Sequence, residues 1–191
     1  MNNLRIVFLG TPETACPFLN RIAADGHAVS GVISQPDRRQ GRGMKLCCPP
    51  IKNSAGELSL EVFQPSPTED LSFALTELKP DLGVVVAYGR LLNKAALAIP
   101  RLGFLNVHFY LLPKYRGAAP VQRALINGET VTGVTVFWLD EGLDTGSVFA
   151  AREVPIGPDD YAPELFKKTS DAGLDLLSFC LAEIAAGRSI R

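Results

Sequence analysis

The chain has few of the residues that bind metal ions. It contains two histidines and four cysteines in 191 residues. No two cysteines have the Cys-x-x-Cys spacing; they are Cys16, Cys47, Cys48 and Cys180. A structural zinc site needs a close set of such ligands at short spacings. We therefore expect no metal site, and we interpret the cysteines as reduced thiols of a cytoplasmic protein.

A long apolar run is also missing. Residues 4–9 are mostly apolar, but this run is too short for the apolar region of a signal peptide and leads directly into a turn at Gly10. No stretch of the sequence is long enough to span a bilayer. We expect a cytoplasmic monomer that makes no membrane contact.

The chain has no excess of either charge. It carries 19 basic and 20 acidic residues, for a net charge of −1. A protein that grips nucleic acid over its whole surface is usually more basic, so any such contact must come from a local patch. Hydrophobic residues make up 47% and charged residues 20% of the chain, which supports a substantial core and argues against disorder.

The hydrophobic pattern alternates between short apolar runs and segments with helical spacing. It predicts strands at residues 4–9, 28–34, 62–63, 82–87, 103–107, 133–138 and 148–154, and helices at 14–24, 72–78, 120–126 and 164–186. Such alternation predicts an α/β, Rossmann-like fold with a mostly parallel sheet and helices on both faces. The first turn, Gly10-Thr11-Pro12-Glu13, lacks the glycine pattern of a dinucleotide site. Ligands of these folds bind beyond the carboxyl ends of the strands.

Three polar residues are expected at such strand ends. Asn106 and His108 lie two positions apart in a predicted strand, so their side chains point to the same side. Asp144 lies in the glycine-containing turn that follows the strand at 133–138. Taken alone, a single histidine is more often a structural hydrogen-bonding residue, and a turn aspartate usually only stabilises its turn. Their shared position makes them candidates for catalysis.

These residues belong to motifs that resemble a known family. Asn106-x-His108, the Leu-Leu-Pro-x-Tyr-Arg-Gly-Ala-Ala-Pro segment at 111–120 and the Gly-Leu-Asp-Thr-Gly segment at 142–146 are similar to those of 10-formyltetrahydrofolate-dependent formyltransferases. Further segments make the chain most similar to the methionyl-tRNA formyltransferases: 10–12, 35–38, 41–43, 84–89 and 116–123.

The resemblance implies formyl transfer from 10-formyltetrahydrofolate to the amino group of methionyl-initiator tRNA. The reaction passes through a tetrahedral oxyanion, which needs hydrogen-bond donors fixed in advance. Asn106 would supply an amide N–H, and His108 would supply a charged hydrogen bond if Asp144 favours its protonated form. Asp144 would also accept the proton that the attacking amine loses, directly or through water. No metal is required.

The resemblance also implies a folate site. The pterin ring is expected among three segments: Ala87 and Tyr88; Tyr110, Leu111, Leu112 and Pro113; and Leu139 and Asp140. Apolar side chains and backbone groups suit a flat heteroaromatic ring. The alternative for residues 84–87 is ordinary sheet core, with any pterin contact made by the backbone at the end of the strand.

A basic segment is the candidate tRNA contact. Arg38, Arg39, Arg42 and Lys45 are expected in a glycine-containing loop, which in the family enters the acceptor stem of the initiator tRNA. Arginines in such a loop contact phosphates and base edges. From composition alone, an ordinary solvated, flexible loop is the alternative.

The chain departs from the family pattern in two places. A pair of small residues usually follows the histidine, whereas this chain has Phe109-Tyr110; these rings either narrow the pocket or turn outward. Residues 1–191 are expected to form the formyltransferase catalytic domain alone, without the β-rich C-terminal tRNA-binding domain of the family. Two other functions therefore stay open: formylation of a small amine, such as a purine precursor or an amino sugar, and a non-catalytic folate-binding relative.

Overall fold

The computed structural model describes residues 3–66, 68–117 and 119–188. Two compact units divide the chain after Phe104. We call residues 3–104 the N-terminal unit and residues 105–188 the C-terminal unit.

The N-terminal unit is built on four parallel strands in the order β5-β2-β1-β6. These strands are β1 (Arg5–Gly10), β2 (Ala28–Ile33), β5 (Val62–Phe63) and β6 (Leu82–Val86). A two-stranded antiparallel hairpin is formed by β3 (Arg38–Gln40) and β4 (Lys45–Cys47). Its helices are α1 (Cys16–Ala24), which follows a short 3-10 turn at Glu13–Ala15, α2 (Pro50–Glu57), α3 (Thr68–Leu78) and α4 (Lys94–Leu97).

The core of this unit follows from its apolar runs. Residues 6–10 of β1 and all of β6 are buried, as expected of parallel strands covered on both faces. Helix α1 buries Phe18, Leu19 and Ile22 at helical spacing. Helix α1 therefore packs against β2 with one apolar face.

The C-terminal unit contains antiparallel strands and one long helix. Strand β7 (Phe104–His108) enters it, followed by α5 (Pro120–Ile126), β8 (Val131–Trp138), β9 (Val148–Pro155) and α6 (Ala162–Ala185). Strand β8 runs antiparallel to both β7 and β9. Helix α6 packs against β8, β9 and α5.

Most of the predicted elements are confirmed, and the predicted α/β class and mostly parallel strand arrangement are correct. The pattern missed the hairpin and the helices α2 and α4, which are short and offer few apolar positions. On α6, Leu165, Leu177, Leu181 and Ile184 lie on a buried face, whereas Leu174 is half-buried. Leu176 and Cys180 are also buried.

Candidate active site

Antiparallel pairing between β7 and β8 positions the two polar residues of β7. Asn106 pairs with Phe137, and His108 pairs with Thr135. Because directly opposed residues of an antiparallel pair lie on the same face, these four side chains share one face of the pair. The alternation predicted for Asn106 and His108 therefore places them beside an aromatic ring and a hydroxyl of β8.

His108 is buried and contacted through both ring nitrogens. Its Nε2 lies 3.1 Å from the backbone oxygen of Tyr115, and its Nδ1 lies 3.7 Å from Oδ2 of Asp144. The ring stands edge-on to Phe137, with ring centroids 6.5 Å apart. The side chains of His108 and Asp144 are only 8% and 11% exposed, so a charge on His108 would interact with Asp144 with little screening by water.

A short loop brings Asp144 to His108. The chain leaves β8 at Trp138 and returns to pair Trp138 N–H with the oxygen of Ser147. Asp144 adopts a left-handed backbone conformation, with φ of 51°, which aspartate tolerates better than most residues. Its Oδ2 accepts a 2.7 Å hydrogen bond from the backbone N–H of Gly117. The carboxylate is therefore fixed from the loop that follows β7.

Burial sets the charge state of His108. The pKa of His108 lies below its ordinary value because burial disfavours the charged ring; Asp144 and the Tyr115 carbonyl oppose that effect without cancelling it. The effect of Asp144 therefore has the expected sign, since it favours imidazolium, but burial of the ring outweighs it. The resting ring is biased toward the neutral form.

One buried threonine holds the loop after His108. The hydroxyl of Thr135 donates to the backbone oxygen of Tyr110 at 2.7 Å and accepts from the N–H of Leu112 at 3.1 Å. Leu111 lies against Gly133, where an added Cβ would collide with the leucine side chain. The candidate folate residues Tyr110, Leu111 and Leu112 are thus placed by β8.

Both rings that depart from the family pattern are buried. Phe109 packs against Phe166 of α6, with ring centroids 4.8 Å apart. Tyr110 stands edge-on to Tyr115 at 4.6 Å and is 1% exposed. Each ring therefore belongs to the packing of the C-terminal unit, and neither is exposed to solvent.

The remaining candidate folate residues differ in exposure. In the C-terminal unit, Pro113 and Asp140 are exposed and Leu139 is half-buried. Oδ1 of Asp140 accepts from the N–H of Gly142 at 3.0 Å and from the hydroxyl of Thr145 at 2.7 Å. The Asp140 side chain therefore stabilises its own turn.

In the N-terminal unit, the end of β6 matches the expectation of sheet core. Residues 84–86 are buried, whereas Ala87 is exposed with φ of 49°. The Tyr88 side chain is buried, and its backbone oxygen accepts from the Thr11 hydroxyl at 3.0 Å and from Nε2 of Gln35 at 3.2 Å. Of the two candidate residues at this strand end, Ala87 is therefore exposed and Tyr88 is buried.

The basic segment is not the loop that the sequence predicted. Arg38 and Arg39 lie in β3, Lys45 lies in β4, and Arg42 lies in the turn between them. Arg39 pairs across the hairpin with Leu46. All four basic residues are exposed. Backbone pairing gives the segment an ordered shape, so a wholly flexible loop is excluded.

A polar cluster holds the base of this hairpin. Nζ of Lys52 lies 3.2 Å from both oxygens of Asp37 and 2.9 Å from Oε1 of Gln64. Nε2 of Gln64 donates to Oδ1 of Asp37 and to the backbone oxygen of Gln35. The Gln64 hydrogen bond and Lys52 hold the pKa of Asp37 below its ordinary value, although its burial acts in the opposite direction.

The rest of the described chain has neither a metal-binding cluster nor a membrane-spanning helix. Within the described ranges, histidine, cysteine, aspartate and glutamate form no group of three or more that could hold a metal ion. None of the helices in the described part of the chain is long and apolar enough to cross a membrane.

Comparison with known proteins decides the family. The profile of the formyl transferase family matches residues 4–181. The chain belongs to this formyl transferase family. Methionyl-tRNA formyltransferase of Geobacter sulfurreducens is 46% identical over an alignment that covers 100% of this chain and 61% of the relative. The protein of the same name from Kosmotoga olearia is 47% identical, over 96% of this chain and 60% of the relative. The chain thus spans about three fifths of the length of these relatives.

Solved structures confirm the formyltransferase fold. Glycinamide ribonucleotide transformylase 1 from Symbiobacterium toebii has a TM-score of 0.84 at 21% identity, with 100% of this chain and 91% of that chain covered. Phosphoribosylglycinamide formyltransferase from Brucella melitensis has a TM-score of 0.78 at 25% identity, with 98% of each chain covered. The α/β architecture is therefore shared with solved members of the family.

Sequence reasoning missed three residues that fix the site. The backbone groups of Tyr115 and Gly117 bind His108 and Asp144, although both residues stood in a recognised motif. Thr135 lies in a strand rich in β-branched residues, where a threonine is common and does not indicate a function. Thr135 could have been identified as the polar residue directly opposite His108. That step requires the pairing register of β7 and β8, which the sequence alone does not give.

Proposed function

We propose that this chain transfers the formyl group of 10-formyltetrahydrofolate to the amino group of methionyl-initiator tRNA. The observation that carries the proposal is the buried His108–Asp144 pair at 3.7 Å, on the same strand face as Asn106. The names of the 46% and 47% identical relatives support methionyl-tRNA as the acceptor. Because charged initiator tRNA is a cytoplasmic molecule, we also propose a cytoplasmic location.

The proposed chemistry needs two donors and one proton acceptor. The amine nitrogen bonds to the formyl carbon, whose carbonyl oxygen takes the electron pair. Asn106, which has no side-chain hydrogen bond to a described residue, is available to donate to that oxygen, and His108 donates when protonated. Asp144 accepts the amine proton, directly or through water. The carbon–N10 bond then breaks, and N10 receives a proton as the folate leaves.

The proposed folate site uses backbone groups and apolar surface. In the C-terminal unit, half-buried Leu111, Leu112 and Leu139 offer apolar contacts, and exposed Pro113 adds a rigid surface. Considered by itself, the N-terminal unit offers Ala87, an exposed residue that follows β6. Tyr88, Tyr110 and Asp140 would then support their segments. The backbone oxygens of Tyr88 and Tyr110 and the carboxylate of Asp140 already accept hydrogen bonds within the protein.

The proposed tRNA contact is the exposed β3–β4 hairpin, with Arg38, Arg39, Arg42 and Lys45. Arg38 donates to Oε1 of Gln35 at the hairpin base at 3.2 Å, whereas Arg39 donates to the backbone oxygen of Met44 in the turn at 3.3 Å. Arg39 and Arg42 are therefore the candidates nearest the turn of the hairpin. Guanidinium groups suit phosphate oxygens and guanine edges.

We propose that the chain acts as a monomer. Sedimentation velocity will test this proposal, and a species with the mass of one chain is expected.

A direct assay tests the function. The purified chain is incubated with 10-formyltetrahydrofolate and methionyl-initiator tRNA, and formylmethionine is measured after the ester is hydrolysed. His108→Ala is expected to abolish turnover with folding intact. Asn106→Ala is expected to lower kcat about 10²- to 10³-fold, as for the loss of one oxyanion donor.

The acceptor and the folate are varied separately. Transfer to a purine-precursor amine or an amino sugar, but not to the tRNA, would establish a small-amine formyltransferase. Normal folate binding with no transfer to any of these amines would establish a non-catalytic relative. Full activity of the His108→Ala variant would remove His108 from the mechanism.

A further inference from the structure

We propose that Tyr115 is a positioning residue that fixes the tautomer of His108 and leaves Nδ1 as the nitrogen that serves the reaction. The proposal rests on the formyl-transfer function above and deepens it, because it names the working atom of the histidine. It follows from the contacts of the ring and from the way in which Tyr115 is held.

The hydrogen bond at Nε2 determines where the proton lies on a neutral ring. A backbone carbonyl can only accept, so the Nε2 that lies 3.1 Å from the oxygen of Tyr115 must carry the hydrogen. Neutral His108 is then the Nε2–H tautomer, with its lone pair on Nδ1. Engaged in this bond, Nε2 does not serve a substrate.

The other nitrogen is left for the reaction. Nδ1 lies 3.7 Å from Oδ2 of Asp144, which is longer than a direct hydrogen bond. It makes no shorter polar contact with any residue in the described ranges. A proton acquired by Nδ1 is therefore directed toward the side on which Asp144 lies, where it can be donated to the oxyanion and returned as the intermediate collapses.

Tyr115 is held in a conformation that it would not adopt freely. Its φ is 48°, in the left-handed region that a bulky residue enters only when its surroundings impose it. Its hydroxyl donates to Oε1 of Glu129 at 3.1 Å and accepts from Nδ2 of Asn127. These contacts fix the side chain and, through it, the direction of the carbonyl that binds His108.

The anchor of this arrangement lies just beyond helix α5. Glu129 N–H donates to the backbone oxygen of Ala124 at 3.1 Å, so the backbone of Glu129 is held at the end of the helix. Burial and the carboxylate of Glu129 raise the pKa of Tyr110 to about 12, so the ring that packs edge-on against Tyr115 stays uncharged. Helix α5 thereby sets the orientation of a residue that it does not contain.

A spectroscopic experiment reads the tautomer without any substrate. The chain has two histidines, so 15N labelling of histidine and His27→Gln assign the signals of His108. Above the ordinary pKa of 6.5, the wild-type His108 is expected to show a protonated Nε2 and an unprotonated Nδ1. A protonated Nδ1 in the neutral ring would overturn the proposal.

The variant that tests Tyr115 is Tyr115→Phe, which keeps the ring and removes the hydroxyl. It is expected to produce a mixture of the two tautomers and to lower kcat about tenfold, the effect of one lost hydrogen bond in an orienting contact, with an unchanged KM for folate. Glu129→Gln, which retains an acceptor for the Tyr115 hydroxyl, is expected to keep the wild-type tautomer.

The matched control is Tyr161→Phe, because Tyr161 is 61% exposed at the start of α6. It is expected to leave both the tautomer and kcat unchanged. If Tyr115→Phe also leaves both unchanged while remaining folded, Tyr115 does not position His108. The tautomer is read in the free protein, so failure of the formyl-transfer proposal would appear as absent turnover with the Nε2–H tautomer intact.

Discussion

Thr135 uses both hydrogen-bonding capacities of a single hydroxyl on the loop that follows His108. Donation to Tyr110 and acceptance from Leu112 satisfy two backbone groups of that loop. Because buried backbone groups without partners are costly, this hydroxyl stabilises the loop more than the hydrogen bonds of an exposed side chain would.

We expect Thr135→Val to lower the free energy of unfolding by about 1–3 kcal/mol, because it keeps the shape of the side chain and leaves both backbone groups without their partner. It should also raise the KM for folate. Thr135→Ser, which keeps the hydroxyl, is the matched control and should change both quantities less. Urea unfolding measures the stability, and initial rates measure the KM. Equal effects of Thr135→Val and Thr135→Ser would show that the hydroxyl does not hold the loop.

The buried ring of His108 also makes stability depend on pH. Its pKa is lowered in the folded protein, so the folded state binds this proton less readily than the unfolded state. The resulting stabilisation is present above pH 6.5, the ordinary value, and is lost as the pH falls. The pKa of His27 is also lowered, because its burial outweighs Asp25.

We therefore expect the unfolding free energy of the wild type to fall between about pH 6.5 and 5, above the range in which carboxylates dominate. His108→Gln should show a shallower fall, and His108→Gln combined with His27→Gln a shallower one still. Urea titrations at several pH values measure these slopes. If His108→Gln keeps the wild-type slope, the ring does not resist protonation in the folded state.

At the scale of elements, the proposed role of the β3–β4 hairpin depends largely on the charge of its side chains. Exposed arginines that neutralise phosphates release counterions, so binding weakens with salt. Replacing Arg39 and Arg42 with alanine is expected to weaken tRNA binding and to reduce the slope of log K against log salt by roughly 0.7–0.9 for each phosphate that is no longer neutralised.

The matched control for the hairpin is Arg101→Ala. Arg101 is another exposed arginine of the N-terminal unit, paired with Asp81 at 2.7 Å. Filter binding over a range of salt concentrations measures both variants. An unchanged slope in the Arg39 and Arg42 variant, or an equal loss in Arg101→Ala, would mean that the hairpin makes no special contact with tRNA.

The elements that the sequence predicted share one property: their apolar residues repeat with a clear period. Strand β6 and helix α1 are of this kind. The hairpin is not, because Arg39 and Lys45 give it no alternation between apolar and polar residues. Helix α2 has only Ile51 and Ala55 as buried positions, which is too weak a pattern to separate it from a loop.

The candidate site was predictable to the extent that one strand contains it. Asn106 and His108 could be placed on one side of β7 from their spacing alone. The contacts of Tyr115 and Thr135 with this site depend on loop conformation and strand register, which local spacing does not specify. The sequence pattern also could not predict the protonation state of His108. Burial lowers the pKa of its ring and Asp144 raises it, and the pattern does not show which effect is larger.

At the scale of the whole molecule, the four cysteines report on folding in two different units. Cys48 is exposed in the N-terminal unit, whereas Cys180 is fully buried in α6. Burial raises the pKa of the Cys180 thiol to about 12, so the thiol is both inaccessible and almost entirely protonated. Since the thiolate is the reactive species, the folded protein protects Cys180 twice.

We expect iodoacetamide to modify Cys48 quickly in the folded protein and Cys180 only when the C-terminal unit opens. Peptide mass spectrometry over time separates the labelling of the two cysteines.

Leu177→Ala removes a buried side chain from the same helix and should destabilise the protein by about 2–5 kcal/mol, whereas Phe179→Ala, at an exposed position, should have little effect. If opening is global, the rate at Cys180 rises with the lost free energy of Leu177→Ala, by about tenfold for each 1.4 kcal/mol. A rate that ignores Leu177→Ala would instead mean that the end of α6 frays locally, and labelling of Cys180 as fast as that of Cys48 would contradict its burial.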